Sequence, residues 1–209
     1  MAAADTFEIE IRGSGGHGGF PHQTVDPVAV AAQVVTNLQH LVSRETDPLE
    51  SVVVSVTRIA GGTMNNVIPE VVSLAGTVRT FSAGARTATR DGIERVLRGV
   101  TQARRAEYRF AYEEGYAAVV NDSEVTAIVE AAARSEVGDD AVVLLEPMMA
   151  GEDFSAYQQV VPGVFFNVGA SSEAACAAYP HHHPRFTIDE SALAIGIAVL
   201  ARTALDVSR

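Results

Sequence analysis

Near the start of the chain Phe7, Ile9 and Ile11 alternate with Glu8, Glu10 and Arg12. A period of two predicts a strand with one buried face, entered almost at once, as though the chain were opened in mid-fold. In "TVDPVAVAAQVVTNLQHLVSRE" the apolar positions Val28, Ala31, Val34, Val35, Leu38, Leu41 and Val42 fall at helical spacing. Asp26 suits the cap of that helix and Pro27 its first turn, where proline's missing donor costs nothing. "SVVVSVTRI" puts Val52, Val54 and Val56 on one strand face, Gly61 and Gly62 loosen the chain, and "EVVSLAGTVRTF" alternates again. These two strands are expected to pair. A second helix is expected around Ile93, Val96, Leu97 and Val100, then a strand with Tyr108, Phe110 and Tyr112 on one face. The order strand, helix, strand, strand, helix, strand is the split ferredoxin-like pattern, assigned here to residues 5–115.

From 116 to 209 the character changes. A helix is expected over Ser123 to Val137, short strands in "AVVLL" and "PGVFFNVG", and a last helix from Asp189 onward. Alternating helices and strands predict an α/β layer, and two strands are few for a sheet, so this half is expected to need partners.

Composition narrows the function. Of 209 residues 47% are hydrophobic, enough for one large or two small cores. Fifteen basic against twenty-six acidic residues give a net charge of -11, the wrong sign for gripping nucleic acid or an anionic membrane surface. The single cysteine, Cys176, excludes an internal disulfide and fits a reducing compartment. No basic, apolar leader opens the sequence and no stretch reaches the roughly 18 apolar residues of a membrane span. A soluble, cytoplasmic protein is the expectation.

Three stretches carry candidate chemistry. "GSGGHGGFPH" contains the spelling G-x-G-x-x-G at Gly13, Gly15 and Gly18, but Phe20, Pro21 and His22 separate it from the helix that a phosphate would need. Glycines permitting a tight left-handed turn, or a backbone cleared around a working His17, are the other readings. In "YPHHHPRFTIDE" consecutive residues point in alternate directions, so one or at most two of His181, His182 and His183 could ligate a metal; a solvated loop is the plain alternative. Glu152 and Asp153 in "MMAGEDFSAY" could serve such a site or satisfy free amides at a helix start. Cys176 lacks a charged neighbour to stabilise its thiolate and is read as incidental. Arg79 in "AGTVRTF" and Asn66 in "NNVIPE" have the donors to hold a carboxylate, with surface solvation as the alternative.

Taken in order, "GSGGHGGFPHQTVDPV", "VSRETDPLESVVVSV", "GGTMNNVIPE", "GTVRTF", "GEDFSAY", "VPGVFFNVG" and "HHHPRFTIDE" resemble the zinc-dependent amidohydrolases of the aminoacylase, hippurate hydrolase and indole-acetyl-amino-acid hydrolase family, relatives of the carboxypeptidase G group. The resemblance implies an α/β protein: a ferredoxin-like lid and dimerisation domain at 5–115, then the carboxyl-terminal part of a metallopeptidase-type catalytic domain at 116–209. It implies a homodimer acting on a small N-acyl amino acid. His17 resembles the lid histidine that supports the oxyanion in the opposite subunit's site. Asn66 and Arg79 fall where the family holds the substrate's carboxylate, Glu152 is counted with the substrate-binding residues, and His182 resembles the metal ligand near the carboxyl terminus. Two divalent ions, zinc or manganese, are implied per complete site.

The family's "H-x-C-G-H-D"-like motif, paired glutamates and a further ligand histidine precede the lid in its members and have no match here. The expectation is therefore an incomplete piece that binds no metal and has little activity alone, the alternative being a non-catalytic dimerisation module. On this reading the glycines clear the backbone around a catalytic histidine.

Overall fold

The computed structural model describes residues 1–172 and 179–208. Cys176 lies outside the described residues. Contacts divide the chain into two compact units, Met1–Val119 with Pro147–Ala156, and Val120–Glu146 with Tyr157–Arg209.

The first unit is built on β1 (Ala3–Arg12), β3 (Val52–Gly61), β5 (Val71–Thr80) and β6 (Glu107–Glu113), in the sheet order β3-β5-β1-β6 with every pairing antiparallel. The strands read as neighbours from their alternation, β3 and β5, do pair, with one bulge between Val56 and Arg58. Two helices, α1 (Pro27–His40) and α2 (Ala83–Arg104), cover the apolar face. Asp26 caps α1 as its type and position imply, its Oδ1 accepting from the amides of Val28 at 2.8 Å and Ala29 at 3.4 Å. Ser82 caps α2, accepting from the Ala85 amide at 3.0 Å. Past α1 the chain widens into one π-helical turn, Leu41–Glu45, that still buries Leu41. The core joins Phe7, Ile9, Ile11, Leu74 and Val78 of the sheet to Val34, Leu38, Ile93 and Leu97 of the helices. A further two-stranded ribbon, β2 (Gly16–His17) with β4 (Val67–Ile68), has no counterpart in the alternation pattern.

The second unit holds α3 (Ser123–Val137) and α5 (Ser191–Val207), which pack together; α3 starts where the sequence pattern places it, with Asp122 as its cap. One turn of helix, α4 (Ser155–Gln158), spans the division between the units. The stretches Ala141–Leu145 and Pro162–Gly169, expected as strands, are not strands here. A strand needs a neighbouring ladder for its backbone groups, and among the described residues neither stretch has one. Leu144 is 100% exposed, so the apolar run finds no cover within its unit.

Asp5 sits on the apolar face of β1, two residues before Phe7, and is 1% exposed. A carboxylate taken out of water needs compensating donors. Arg86 of α2 supplies a salt bridge, the Tyr112 hydroxyl donates at 2.7 Å, and the Gly115 amide donates at 3.0 Å. Burial pushes the Asp5 carboxyl up, but the hydrogen bonds from Arg86, Tyr112 and Gly115 and the Arg86 charge outweigh it, leaving it below its ordinary value. Burial first, then the hydrogen bond to Asp5 and the Asp5 charge, raise the Tyr112 hydroxyl against the opposing Arg86 charge, so it stays protonated as a donor.

Removing one member of such a pair leaves the other uncompensated, so Asp5→Asn is expected to cost about 3 kcal/mol in urea unfolding at neutral pH. Because the folded carboxyl titrates below the unfolded one, its contribution is complete above about pH 4 and is lost as the pH falls through the folded value. The gap between wild type and Asp5→Asn should therefore narrow on acidification below about pH 4; a gap that stays constant to pH 2 contradicts this account.

Candidate active site

The glycine loop is threaded between two other segments. Ser14 and Val25 exchange backbone hydrogen bonds at 2.9 and 3.0 Å, the Gly13 amide donates to the Glu70 carbonyl at 2.8 Å, and the Gly18 amide donates to the Asn66 carbonyl at 2.8 Å. Within the ribbon His17 lies opposite Val67. A Cβ added to Gly15 would stand 2.7 Å from the Ile68 carbonyl oxygen, so bare backbone is needed for the approach. Among the described residues only Gly62 and Gly138 are glycines with positive φ. The left-handed turn, one of the readings of these glycines, is therefore absent from this loop, and at Gly13, Gly15 and Gly18 close packing against main chain is what demands glycine. The first amides of α1 are already taken by the Asp26 carboxylate, which leaves no anion cradle after the loop.

His17 is exposed at the end of this ribbon. Its Nδ1 accepts from the Gly19 amide at 3.0 Å, and its ring lies 5.2 Å from that of Phe20. With Nδ1 occupied as an acceptor, the neutral ring carries its proton on Nε2 and offers it as a donor. Asn66 is exposed beside it, and among the described residues its side chain makes no hydrogen bond. His17 and Asn66, 49 positions apart in sequence, are thus neighbours through the Gly18–Asn66 bond.

Arg79 is elsewhere. It pairs with Ala4 at the opposite end of β5, eight positions beyond Val71. At ~3.3 Å per residue that is roughly 26 Å along the strand. Arg79 lies on the helix-free face, its Nη1 donating to the Thr77 hydroxyl and to the Val78 carbonyl at 3.0 Å. Glu152 belongs to this end as well, since the Ala2 amide donates to the carbonyls of Met148 at 3.1 Å and Ala150 at 3.0 Å. The Glu152 carboxylate accepts from the Asp153 amide at 3.0 Å, a local bond of the kind a turn into a helix uses. The structure brings His17 together with Asn66 and sets Glu152 near Arg79's strand end, but it joins neither pair to the other within one chain.

In the second unit His181 and His182 lie in a turn, not in extended chain, and the three histidines have different surroundings. His181 meets the Phe186 ring edge-on at 4.8 Å. His183 stacks on Tyr179 at 4.3 Å and its Nδ1 accepts from the Arg185 amide at 3.1 Å. His182 is exposed with φ of 67°, and among the described residues it has no hydrogen bond or ring partner. It is the histidine left available. Among the described residues no three His, Cys, Asp or Glu side chains gather as a metal site.

Two polar residues bonded at the Arg79 end of the sheet escaped the sequence reading, Asp5 and Thr77. Asp5 had a signal: an acid in phase with Phe7, Ile9 and Ile11 must be buried and therefore partnered. Thr77 had none, because its bonds join residues brought together only by strand pairing.

These features match known proteins along nearly the whole sequence. Peptidase family M20/M25/M40 matches residues 9–206. The N-acetylcysteine deacetylase of Bacillus subtilis is 39% identical over 98% of this chain and 52% of its own length. The N-acyl-L-amino acid amidohydrolase of Geobacillus stearothermophilus is 52% identical over 59% of this chain and 34% of its own. Among solved structures, the YXEP protein of Bacillus subtilis, described as a dinuclear metal-binding peptidase of the M20 family, superposes with a TM-score of 0.76 at 32% identity, covering 99% of this chain and 50% of its own. The chain spans about half the length of the curated relatives it matches. With strand order, glycine loop and sequence all in agreement, the chain belongs to peptidase family M20/M25/M40.

Proposed function

We propose that this chain provides the lid, over residues 5–115, and the carboxyl-terminal catalytic portion, over 116–209, of a metal-dependent amidohydrolase that cleaves the amide bond of N-acyl amino acids. The observation that carries the proposal is His17: an exposed imidazole on a glycine-framed ribbon, with Nδ1 held by the Gly19 amide and Nε2 left to donate. That is the donor an amide carbonyl needs as its oxygen gains charge, and one well-placed donor contributes about 10²- to 10³-fold in rate. Asn66 adds a second polar group at the same tip.

The roughly 26 Å of strand from Val71, at the sheet end that carries the glycine loop, to Arg79 far exceeds the length of an N-acyl amino acid. The separation supports a homodimer in which His17 and Asn66 of one copy meet a substrate whose carboxylate is held by Arg79 of the other. Among the described residues no strand pairs with the outer side of the edge strand β3, which leaves it for a second copy. Holding the substrate at both ends fixes the scissile carbonyl before attack. Among the described residues no cluster fits a pair of divalent ions, zinc or manganese, by itself. His182 is the one side chain proposed here as a ligand; further ligands must join it.

In an enzyme completed to the length of its relatives, His17→Ala is expected to lower kcat about 10²- to 10³-fold with little change in KM. Unchanged turnover removes the role. Arg79→Ala is expected to raise KM for N-acetyl and N-benzoyl amino acids while sparing their carboxamides, so equal losses on both substrate types count against carboxylate binding. The 209-residue chain alone is expected to leave N-acetyl amino acids unhydrolysed with added zinc or manganese, and full turnover by it would overturn the proposed division of the site.

A further inference from the structure

Thr77 stands two residues before Arg79 on β5, so the two side chains leave the same face of the sheet. Its hydroxyl donates to the Asp5 carbonyl at 2.7 Å and accepts from Arg79 Nη1. A hydroxyl has one hydrogen and two lone pairs, so both bonds hold at once. The Val78 carbonyl lies 3.0 Å from the same nitrogen, and the Asp5 carbonyl 3.5 Å. Nη1 carries two hydrogens, and the protein engages both. Nε and Nη2 make no hydrogen bond among the described residues. These two atoms form one planar edge of the guanidinium, matched in spacing to the two oxygens of a carboxylate.

We infer that Thr77 is a positioning residue: it ties Nη1 of Arg79 to the β1 backbone and so commits the Nε/Nη2 edge to an incoming ligand carboxylate. The inference rests on the reading of Arg79 as the carboxylate holder. Asp5 backs the arrangement from the other face of the sheet. Its side chain is fixed by Arg86, Tyr112 and Gly115, and its carbonyl is thereby held where Thr77 reaches it. One residue links the buried side of the sheet to its half-buried, helix-free side.

The test uses the chain itself, titrated with N-acetyl-L-alanine and with N-acetyl-L-alaninamide while the Arg79 Nε–H resonance is followed by NMR. Wild type should bind the acid in preference to the amide. Loss of a hydrogen bond to a charged group is expected to weaken acid binding by Thr77→Val about five- to tenfold, with amide binding unchanged. Thr77→Ser should restore the preference. A second readout needs no ligand: rotation about the Arg79 Nε–Cζ bond should be slow in wild type and Thr77→Ser and fast in Thr77→Val.

Wild-type affinity and slow rotation in Thr77→Val would overturn the inference. If Arg79→Ala keeps the preference for the acid, or wild type shows none, the carboxylate reading of Arg79 fails and this proposal falls with it. If Arg79→Ala loses the preference but Thr77→Val does not, only the positioning role fails. Should Thr77→Val prove unfolded by circular dichroism, Thr77→Ala and Thr77→Ser decide by the same two measurements.

Discussion

A carboxylate cannot be stripped of water on the apolar side of a sheet unless other groups replace that water, and at Asp5 the replacements come from three places. Arg86 lies in the first turns of α2, Tyr112 at the end of β6, and Gly115 just beyond it. The one side chain therefore fixes where β1 begins, where α2 sets down on the sheet and where the chain leaves β6. Gly115 has no side chain because the Ala4 carbonyl occupies the space beside it. The core from Phe7 to Ile11 then continues the face that Asp5 starts, so hydrophobic packing extends from an end already pinned by charge.

The pinned end is also the Arg79 end. The opposite end of the same sheet carries a lighter construction, in which a two-residue ribbon and a run of glycines lift His17 beside Asn66. The pinned end holds the Arg79 guanidinium, whose Nε/Nη2 edge in the proposed site meets a planar anion. The glycine-built tip holds an exposed imidazole whose Nε2, in the proposed site, donates to a substrate carbonyl. A long antiparallel sheet with different chemistry at its two ends is what the proposed homodimer, with a site shared between copies, would use.

In the second unit, helices and strands fared differently for a reason of hydrogen bonding. The α3 segment satisfies its backbone internally and its amphipathic spacing sufficed to place it, while its Asp122 cap is seen only in the structure. The apolar runs Ala141–Leu145 and Pro162–Gly169 have strand-like composition, yet a strand is a property of two segments. With no ladder partner among the described residues, propensity alone does not make them strands.

Periodicity along the chain was enough to order the elements of the first unit, because each half-buried strand and helix writes its own face into the sequence. The glycines marked the loop around His17, though their purpose proved to be room for neighbouring main chains; none adopts the left-handed backbone. Alternation along "HHH" holds only for extended chain; the histidines instead sit at a turn, and ring contacts to His181 and His183 leave His182 available. Which distant residues meet was decided only in three dimensions. Asn66 joins His17 and not Arg79, Thr77 links Arg79 to Asp5, and Asp5 finds Arg86 because strand register and helix packing act over separations that no local pattern encodes.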